Sequence, residues 1–261
     1  MVKLIVCDID GTLIPYGETA LSPELFPLIR RLHGRGILFC PASGRQYHSL
    51  RTLFAPVADE LAYLCENGAV IFGVGAEGET PLLEKTAMER GEALALSNAI
   101  WDLAGHEVLI SGENTSYVSL RNPAFSQRMR NFTGNHVREI ERPEEVLEDI
   151  IKVSAFCPEG TERAKALLEP RWGKAFRMAV AGPEWLDFTL ADKGDGLRGL
   201  CRALGVPLSE AAAFGDNWND LPMLRLAGHP YLMEEANPAL REEGFTLCRR
   251  VEPILKSFLE E

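Results

Sequence analysis

Short apolar runs that end abruptly in polar residues, each followed by a helical pattern, constrain the fold of this chain most strongly. Residues 4–7 form the first such run, which stops at Asp8. Residues 37–40 and 211–214 repeat the arrangement near the start and the end of the chain. Because helices separate these runs and the links are short, the pattern predicts buried parallel strands joined by right-handed crossovers.

The middle of the chain has a different texture. Helical stretches such as residues 87–103 alternate there with short period-two runs such as residues 117–120. This mixture is typical of an α+β unit inserted into a larger domain. We therefore predict an α/β fold with a Rossmann-like parallel-sheet core at residues 1–81 and 184–261, interrupted by an α+β domain at residues 82–183.

Composition excludes several classes of partner. The 27 basic and 38 acidic side chains give a formal charge of −11, whereas nucleic acids and anionic membranes bind clustered Lys and Arg. We therefore expect neither kind of partner. No apolar run reaches the roughly 18–20 residues that span a bilayer, and Asp8 and Asp10 interrupt the first run too early for a signal peptide. We expect a cytoplasmic protein.

The segment Asp8-Ile9-Asp10-Gly11-Thr12 follows the first predicted strand. Ligands bind at the carboxyl ends of strands in open α/β sheets, and side chains two residues apart on an extended segment point the same way. Asp8 and Asp10 can therefore serve one site, where a cation would offset their mutual repulsion. From these five residues alone, a structural turn explains the pattern equally well.

Three further segments stand at predicted strand–helix junctions. Ser43-Gly44-Arg45 offers a hydroxyl and an unhindered backbone N–H to an anion, although Ser-Gly is also common in turns. Lys193 opens a helix, a position where most lysines are simply solvated. The loop 216–220 combines two carboxylates and two amides, which suits Mg²⁺ but also suits a helix-capping loop. Each signal is modest by itself.

Their order along the chain resembles that of the haloacid dehalogenase (HAD) phosphatase superfamily. The motifs D-x-D-G-T, S-G-R, K-G and G-D-x-x-N-D all occur, in that order. The inserted domain lies between the second and third motifs, like the α+β cap domain of the Cof-type, class IIB subgroup. Asn67-Gly68-Ala69 and Asn237-Pro238-Ala239 also resemble that subgroup. The resemblance spans the core, whereas the cap matches in its position and in its alternation of helices with short strands.

The resemblance implies a role for each matching residue. Asp8 would be the nucleophile that forms an aspartyl-phosphate, and Asp10 would protonate the leaving oxygen and then activate water. The side chain of Asp8, the backbone carbonyl of Asp10 and Asp216 would bind Mg²⁺. The phosphoryl group would be held by Ser43, Gly44, Lys193 and Asn219. Asp220 would support the metal. Arg45 would either recognise substrate or pair with a core acid.

These features predict a phosphatase that hydrolyses a small phosphorylated metabolite. The resemblance makes sugar phosphates the leading class, because related capped phosphatases often accept them, and flavin, pyridoxal and nucleotide phosphates remain open. A cap of about a hundred residues is expected to cover the site and to exclude water and folded protein substrates. Two alternatives remain open: a phosphomutase of the same superfamily, and a non-catalytic phosphate or Mg²⁺ sensor. A monomer or a small homo-oligomer is expected.

Overall fold

The computed structural model describes residues 1–181 and 183–260, without the side chains of residues 132 and 133. The chain forms two compact units. The core unit comprises Met1–Glu84 and Asp192–Glu261, and the inserted unit comprises Lys85–Ala191. The α/β class with a parallel core sheet, predicted from the sequence, is confirmed.

Fourteen strands occur in the described residues. Their bounds are β1 Leu4–Cys7, β2 Leu38–Pro41, β3 Tyr63–Cys65, β4 Val70–Phe72, β5 Leu82–Lys85, β6 Glu107–Ser111, β7 Ser116–Ser119, β8 Val137–Ile140, β9 Lys152–Phe156, β10 Arg177–Val180, β11 Trp185–Thr189, β12 Ala211–Gly215, β13 His229–Met233 and β14 Thr246–Cys248.

Eight α-helices connect them in the same ranges. Their bounds are α1 Leu25–His33, α2 Tyr47–Leu53, α3 Arg90–Trp101, α4 Pro123–Arg128, α5 Glu162–Trp172, α6 Lys193–Leu204, α7 Leu221–Leu224 and α8 Val251–Ser257. Short 3₁₀ segments add Ala55–Glu60, Pro143–Glu145, Leu208–Glu210 and Pro238–Glu243, and a π-helical turn covers Met129–Thr133.

The core sheet is parallel and has the strand order β14-β13-β12-β1-β2. Strand β1, which lies between β12 and β2, is fully buried, as its uninterrupted apolar run predicts. β3 and β4 form an antiparallel hairpin, which lies in a separate sheet with β5. A single bridge between Ala42 and Leu64 links that hairpin to the end of β2.

The inserted unit contains a second sheet of order β10-β11-β9-β6-β7-β8, in which only β7 and β8 pair in parallel. The sequence assigns β11 to the core. In the structure β11 pairs antiparallel with β9 and β10, so the core unit resumes at Asp192 and not at residue 184. The units also divide after Glu84 and not after Pro81. Gly182, next to the predicted boundary, lies outside the described residues.

Helix α6 begins with a reciprocal cap. The Asp192 carboxylate accepts the N–H of Asp195 at 2.9 Å, and the Asp195 carboxylate accepts the N–H of Asp192 at 3.3 Å. Two orphan donors of the first turn are thereby satisfied. Leu197 and Leu200 bury the apolar face of the helix, and Lys193 lies fully buried in its first turn. The cap thus fixes where Lys193 enters the core.

The six cysteines are buried and have free thiols. In the part of the chain that the structure describes, no helix combines the length and the hydropathy needed to cross a bilayer.

A glycine at position 196 is required by close packing. A Cβ atom built there would lie 2.7 Å from the Cα of Gly68 and 2.7 Å from a methyl carbon of Leu64. We expect Gly196→Ala to lower the free energy of unfolding by about 1–3 kcal/mol, because added volume in a packed core forces backbone shifts. Urea denaturation measures the change.

Gly34→Ala is the matched control. Gly34 follows α1 with an ordinary helical φ of −62°, and an added Cβ would meet only backbone oxygens at 3.5 and 3.6 Å. Such a substitution is neutral or stabilises by up to about 1 kcal/mol. Equal losses in the two variants would contradict the packing argument.

Candidate active site

Two acids follow the central strands of the core sheet. β1 and β12 are parallel neighbours with Cys7 opposite Phe214, so the residues after them meet at the same edge. The N–H of Asp8 donates to the carbonyl of Phe214 at 3.0 Å. Asp8 is 6% exposed and Asp216 is 3% exposed. The strand register therefore places both carboxylates, predicted as site residues, in one buried location.

Lys193 joins two acids through one ammonium group. Its Nζ donates to Oδ1 of Asp8 and, at 2.6 Å, to Oδ1 of Asp220. The other oxygen of Asp220 accepts the backbone N–H groups of Asp216 and Asn217, each at 3.0 Å. Asp220 therefore fixes both the lysine and the turn that carries Asp216.

The cluster carries an excess of buried negative charge. Asp8, Asp216 and Asp220 contribute three carboxylates, and Lys193 supplies one ammonium, which leaves a formal charge of −2. Burial, reinforced by the charge of Asp220, raises the pKa of Asp8 to about 8 despite the opposing effect of Lys193. Burial alone would lower the pKa of Lys193, but the two acids outweigh it and raise that pKa. All three acids can ionise together only if a further cation joins them.

The donor set fits a divalent metal. One carboxylate oxygen from each of Asp8, Asp216 and Asp220 lies within 4.8 Å of the others. Both Asp220 oxygens already accept N–H groups, whereas Oδ2 of Asp8 has no hydrogen-bond partner among the described residues. Carboxylate oxygens are preferred ligands of hard divalent cations, and one such ion would balance the charge of −2.

The loop after β1 holds Asp216 through residues to which the sequence assigned no role. Thr12 Oγ1 donates to Oδ1 of Asp216 at 3.3 Å, and the Tyr16 hydroxyl donates to Oδ2 at 2.6 Å. A Cβ on Gly11 would lie 2.3 Å from that same oxygen, and Gly11 has a φ of +95°, so only glycine fits there. Thr12 belongs to a recognised motif, but Tyr16 lies in an irregular loop with no pattern to mark it.

Asp10 lies at the exposed side of the site. Its side chain is 61% exposed and accepts two hydrogen bonds from Arg45, from Nη2 at 2.7 Å and from Nε at 3.3 Å. Arg45 therefore pairs with an acid, but that acid is exposed and does not belong to the core.

The turn that contains Ser43 forms another side of the candidate site. Ser43 is buried, and its Oγ accepts the N–H of Arg45 at 3.3 Å across the intervening Gly44. Asn67, to which the sequence assigned no site role, ties this turn to the acid loop. Its N–H donates to the Ser43 carbonyl at 2.9 Å, and its Oδ1 accepts from Asn219 Nδ2 at 3.4 Å. The available signal in the sequence was the segment Asn67-Gly68-Ala69, which resembles the Cof-type subgroup.

The sequence matches a known protein family and curated relatives. A profile of the haloacid dehalogenase-like hydrolases matches residues 5–244. A 5-amino-6-(5-phospho-D-ribitylamino)uracil phosphatase of Escherichia coli (strain K12) is 28% identical over 251 residues, which cover 92% of this chain and 88% of that protein.

Solved structures agree with this match. A crystal structure from Eubacterium rectale superposes with a TM-score of 0.86 at 29% identity, covering 98% of this chain and 99% of the other. A HAD subclass IIB sugar phosphatase superposes with a TM-score of 0.79 at 22% identity, covering 98% and 97%. At that identity the second comparison supports the fold alone.

The chain belongs to the haloacid dehalogenase-like hydrolase family, because the family profile covers nearly all of it. It is an enzyme of the phosphoric monoester hydrolase class, as its relatives are. The resemblance to Cof-type phosphatases that the sequence motifs suggest is thereby confirmed.

Removing the ammonium group of Lys193 should destabilise the fold. We expect Lys193→Met to lower the free energy of unfolding by about 3–5 kcal/mol without added divalent metal, because it leaves buried carboxylates without their ammonium. Urea denaturation in EDTA measures the loss.

Lys3→Met provides the comparison within the same unit. Lys3 pairs with Glu210 at 2.8 Å, but its side chain is 54% exposed, so the pair contributes less than about 1 kcal/mol. If both variants lost the same free energy of unfolding, the buried network around Lys193 would not be the stabilising feature.

Proposed function

We propose that the chain is a Mg²⁺-dependent phosphatase that hydrolyses the phosphate monoester of a small metabolite through an aspartyl-phosphate intermediate. The observation that carries this proposal is the buried acid cluster at the ends of β1 and β12. It combines an oxygen of Asp8 that has no hydrogen-bond partner in the described part of the chain with a charge deficit equal to one divalent cation.

Asp8, Asp216 and the backbone carbonyl of Asp10 are the proposed metal ligands. Asp220 is assigned a supporting role, since its oxygens accept the Lys193 ammonium and two backbone N–H groups of the turn that carries Asp216. When bound, Mg²⁺ supplies positive charge that offsets the repulsion between an ionised nucleophile and a phosphate dianion.

The phosphoryl oxygens are assigned to donors on three segments. Lys193 offers its ammonium, Ser43 its hydroxyl, Gly44 its backbone N–H and Asn219 its amide. Phosphoryl transfer gives the protein little covalent chemistry to perform, so positioning and charge neutralisation by such donors carry the rate. Arg45 is assigned to the same region, where it holds Asp10 in the structure.

Two displacements complete the proposed reaction. In the first, Oδ2 of Asp8 bonds to phosphorus, the bond to the leaving oxygen breaks, and Asp10 gives that oxygen a proton. In the second, water gives a proton to Asp10 and bonds to phosphorus, and the bond to Asp8 breaks. Inorganic phosphate leaves, and both acids return to their starting state. Asp10 must exchange the Arg45 guanidinium for the leaving oxygen, which its exposed position permits.

Phosphates of sugars or sugar-derived chains are the proposed substrates. The Escherichia coli relative is named for a phosphoribityl compound, which belongs to this class. A cytoplasmic location and a monomer or small homo-oligomer complete the proposal.

The nucleophile provides the decisive variant. We expect Asp8→Asn to reduce phosphate release from a panel of sugar and cofactor monophosphates by at least about a thousandfold, because an amide cannot form the intermediate. EDTA should abolish release by the wild type, and Mg²⁺ should restore it. Mass spectrometry of acid-quenched wild type should find the phosphoryl group on the peptide containing Asp8.

Asp102→Asn, an exposed acid at the end of α3, is the control and should keep wild-type turnover. Activity of Asp8→Asn within tenfold of the wild type would contradict the nucleophile assignment. Conversion of one sugar phosphate isomer into another without phosphate release would identify the mutase. A folded wild type that binds Mg²⁺ and retains a stable phosphoryl group would identify the sensor.

A further inference from the structure

Tyr16 is oriented in the opposite sense to an ordinary surface tyrosine. Its hydroxyl points inward to Oδ2 of the buried Asp216 at 2.6 Å, while the residue as a whole is 62% exposed. Tyrosine usually buries its ring and leaves the hydroxyl in water. Here the polar end is anchored and the apolar ring remains in contact with solvent.

Trp218 is exposed beside the same acid. It follows Asp216 by two residues, and its side chain is outside the core, with the residue 51% exposed. The turn that carries it is held firmly, because the Trp218 N–H donates to Oδ1 of Asn217 at 2.8 Å and the N–H of Asn217 donates to Asp220. The ring is thus presented to solvent by a fixed backbone.

These two residues, here called the aromatic pair, differ from the other aromatic residues. Among the Phe, Tyr and Trp side chains whose exposure the structure describes, only these two are strongly exposed. Both belong to loops that carry the acids of the site. Exposed aromatic rings on neighbouring loops are more typical of a binding surface than of the rest of a protein surface.

The position of Asp8 determines which part of the substrate could contact the aromatic pair. Behind Asp8 lies the fully buried strand β1, so the organic part of an ester attacked by Asp8 must extend towards solvent. The loops that carry Asp10 and Asp216 also carry the aromatic pair, and all three side chains are exposed. Because the Tyr16 hydroxyl is occupied by Asp216, its ring offers a ligand mainly its face and edge.

We infer that the aromatic pair binds a planar ring in the alcohol part of the substrate, an inference that rests on the proposed phosphatase function. The proposed sugar-derived phosphate would therefore also carry an aromatic or heteroaromatic ring in its alcohol part. A flat ring contacts an aromatic face over its whole area, whereas a saturated ring touches it through a few hydrogens.

Benzyl phosphate and cyclohexylmethyl phosphate test the inference directly. Both are esters of primary alcohols of similar size, and they differ in whether the ring is planar. With Mg²⁺ present, the wild type should show a kcat/KM about tenfold higher for benzyl phosphate. Trp218→Leu and Tyr16→Leu should each bring this ratio close to one.

Two conservative variants separate stacking from structural damage. Trp218→Phe and Tyr16→Phe retain a planar ring, so both should keep most of the benzyl preference. Tyr16→Phe also removes the hydrogen bond to Asp216, but a loss at the metal site lowers both rates and cancels in the ratio. A wild-type ratio near one, or a ratio unchanged by the Leu variants, would overturn the inference while leaving the phosphatase intact.

Binding distinguishes this inference from the function on which it rests. If neither ester is hydrolysed, the phosphatase proposal loses its support for such esters, and calorimetry on Asp8→Asn decides the inference separately. Tighter binding of benzyl phosphate by about tenfold, lost when Trp218→Leu is added, would support the aromatic pair. Equal dissociation constants for the two esters would refute it.

Discussion

The ammonium of Lys193 is the interaction on which the site depends. It bridges Asp8 and Asp220, which lie 185 and 27 residues away in sequence, inside a region with almost no solvent exposure. One buried cation between two buried anions is stabilising only while the geometry is kept, because either partner alone would be a desolvated charge. The network therefore ties the end of β1, the first turn of α6 and the loop after β12 to a single arrangement.

The rest of the core unit provides that geometry. Parallel pairing of β1 with β12 brings Asp8 and Asp216 to one edge, and the reciprocal cap of α6 sets the depth of Lys193. The cluster still lacks positive charge, since three carboxylates face one ammonium. A catalytic site that binds a divalent metal and then an anion needs this imbalance before the metal arrives. The same feature that weakens the metal-free fold thus makes the site chemically useful.

Sequence patterns predicted the parts that depend on local order along the chain. Asp8, Lys193 and Asp216 each stand at a strand–helix junction, and parallel strands bring such junctions together. Contacts that depend on the path of a loop could not be predicted, so Tyr16 was missed and the partner of Arg45 was left open. β11 was assigned to the core because its apolar pattern does not reveal its antiparallel partner. The residue roles remain proposals that rest on geometry and family membership.

Calorimetric titration of metal-free protein with Mg²⁺ tests the central claim most directly, because that claim concerns charge balance in the acid cluster. The account predicts one site per chain in the wild type and at least tenfold weaker binding when Asp216→Asn removes one charge from the cluster. The same titration on Asp149→Asn, an acid of the inserted unit, should match the wild type. Absence of Mg²⁺ binding by folded wild-type protein, or unchanged binding by Asp216→Asn, would contradict the account.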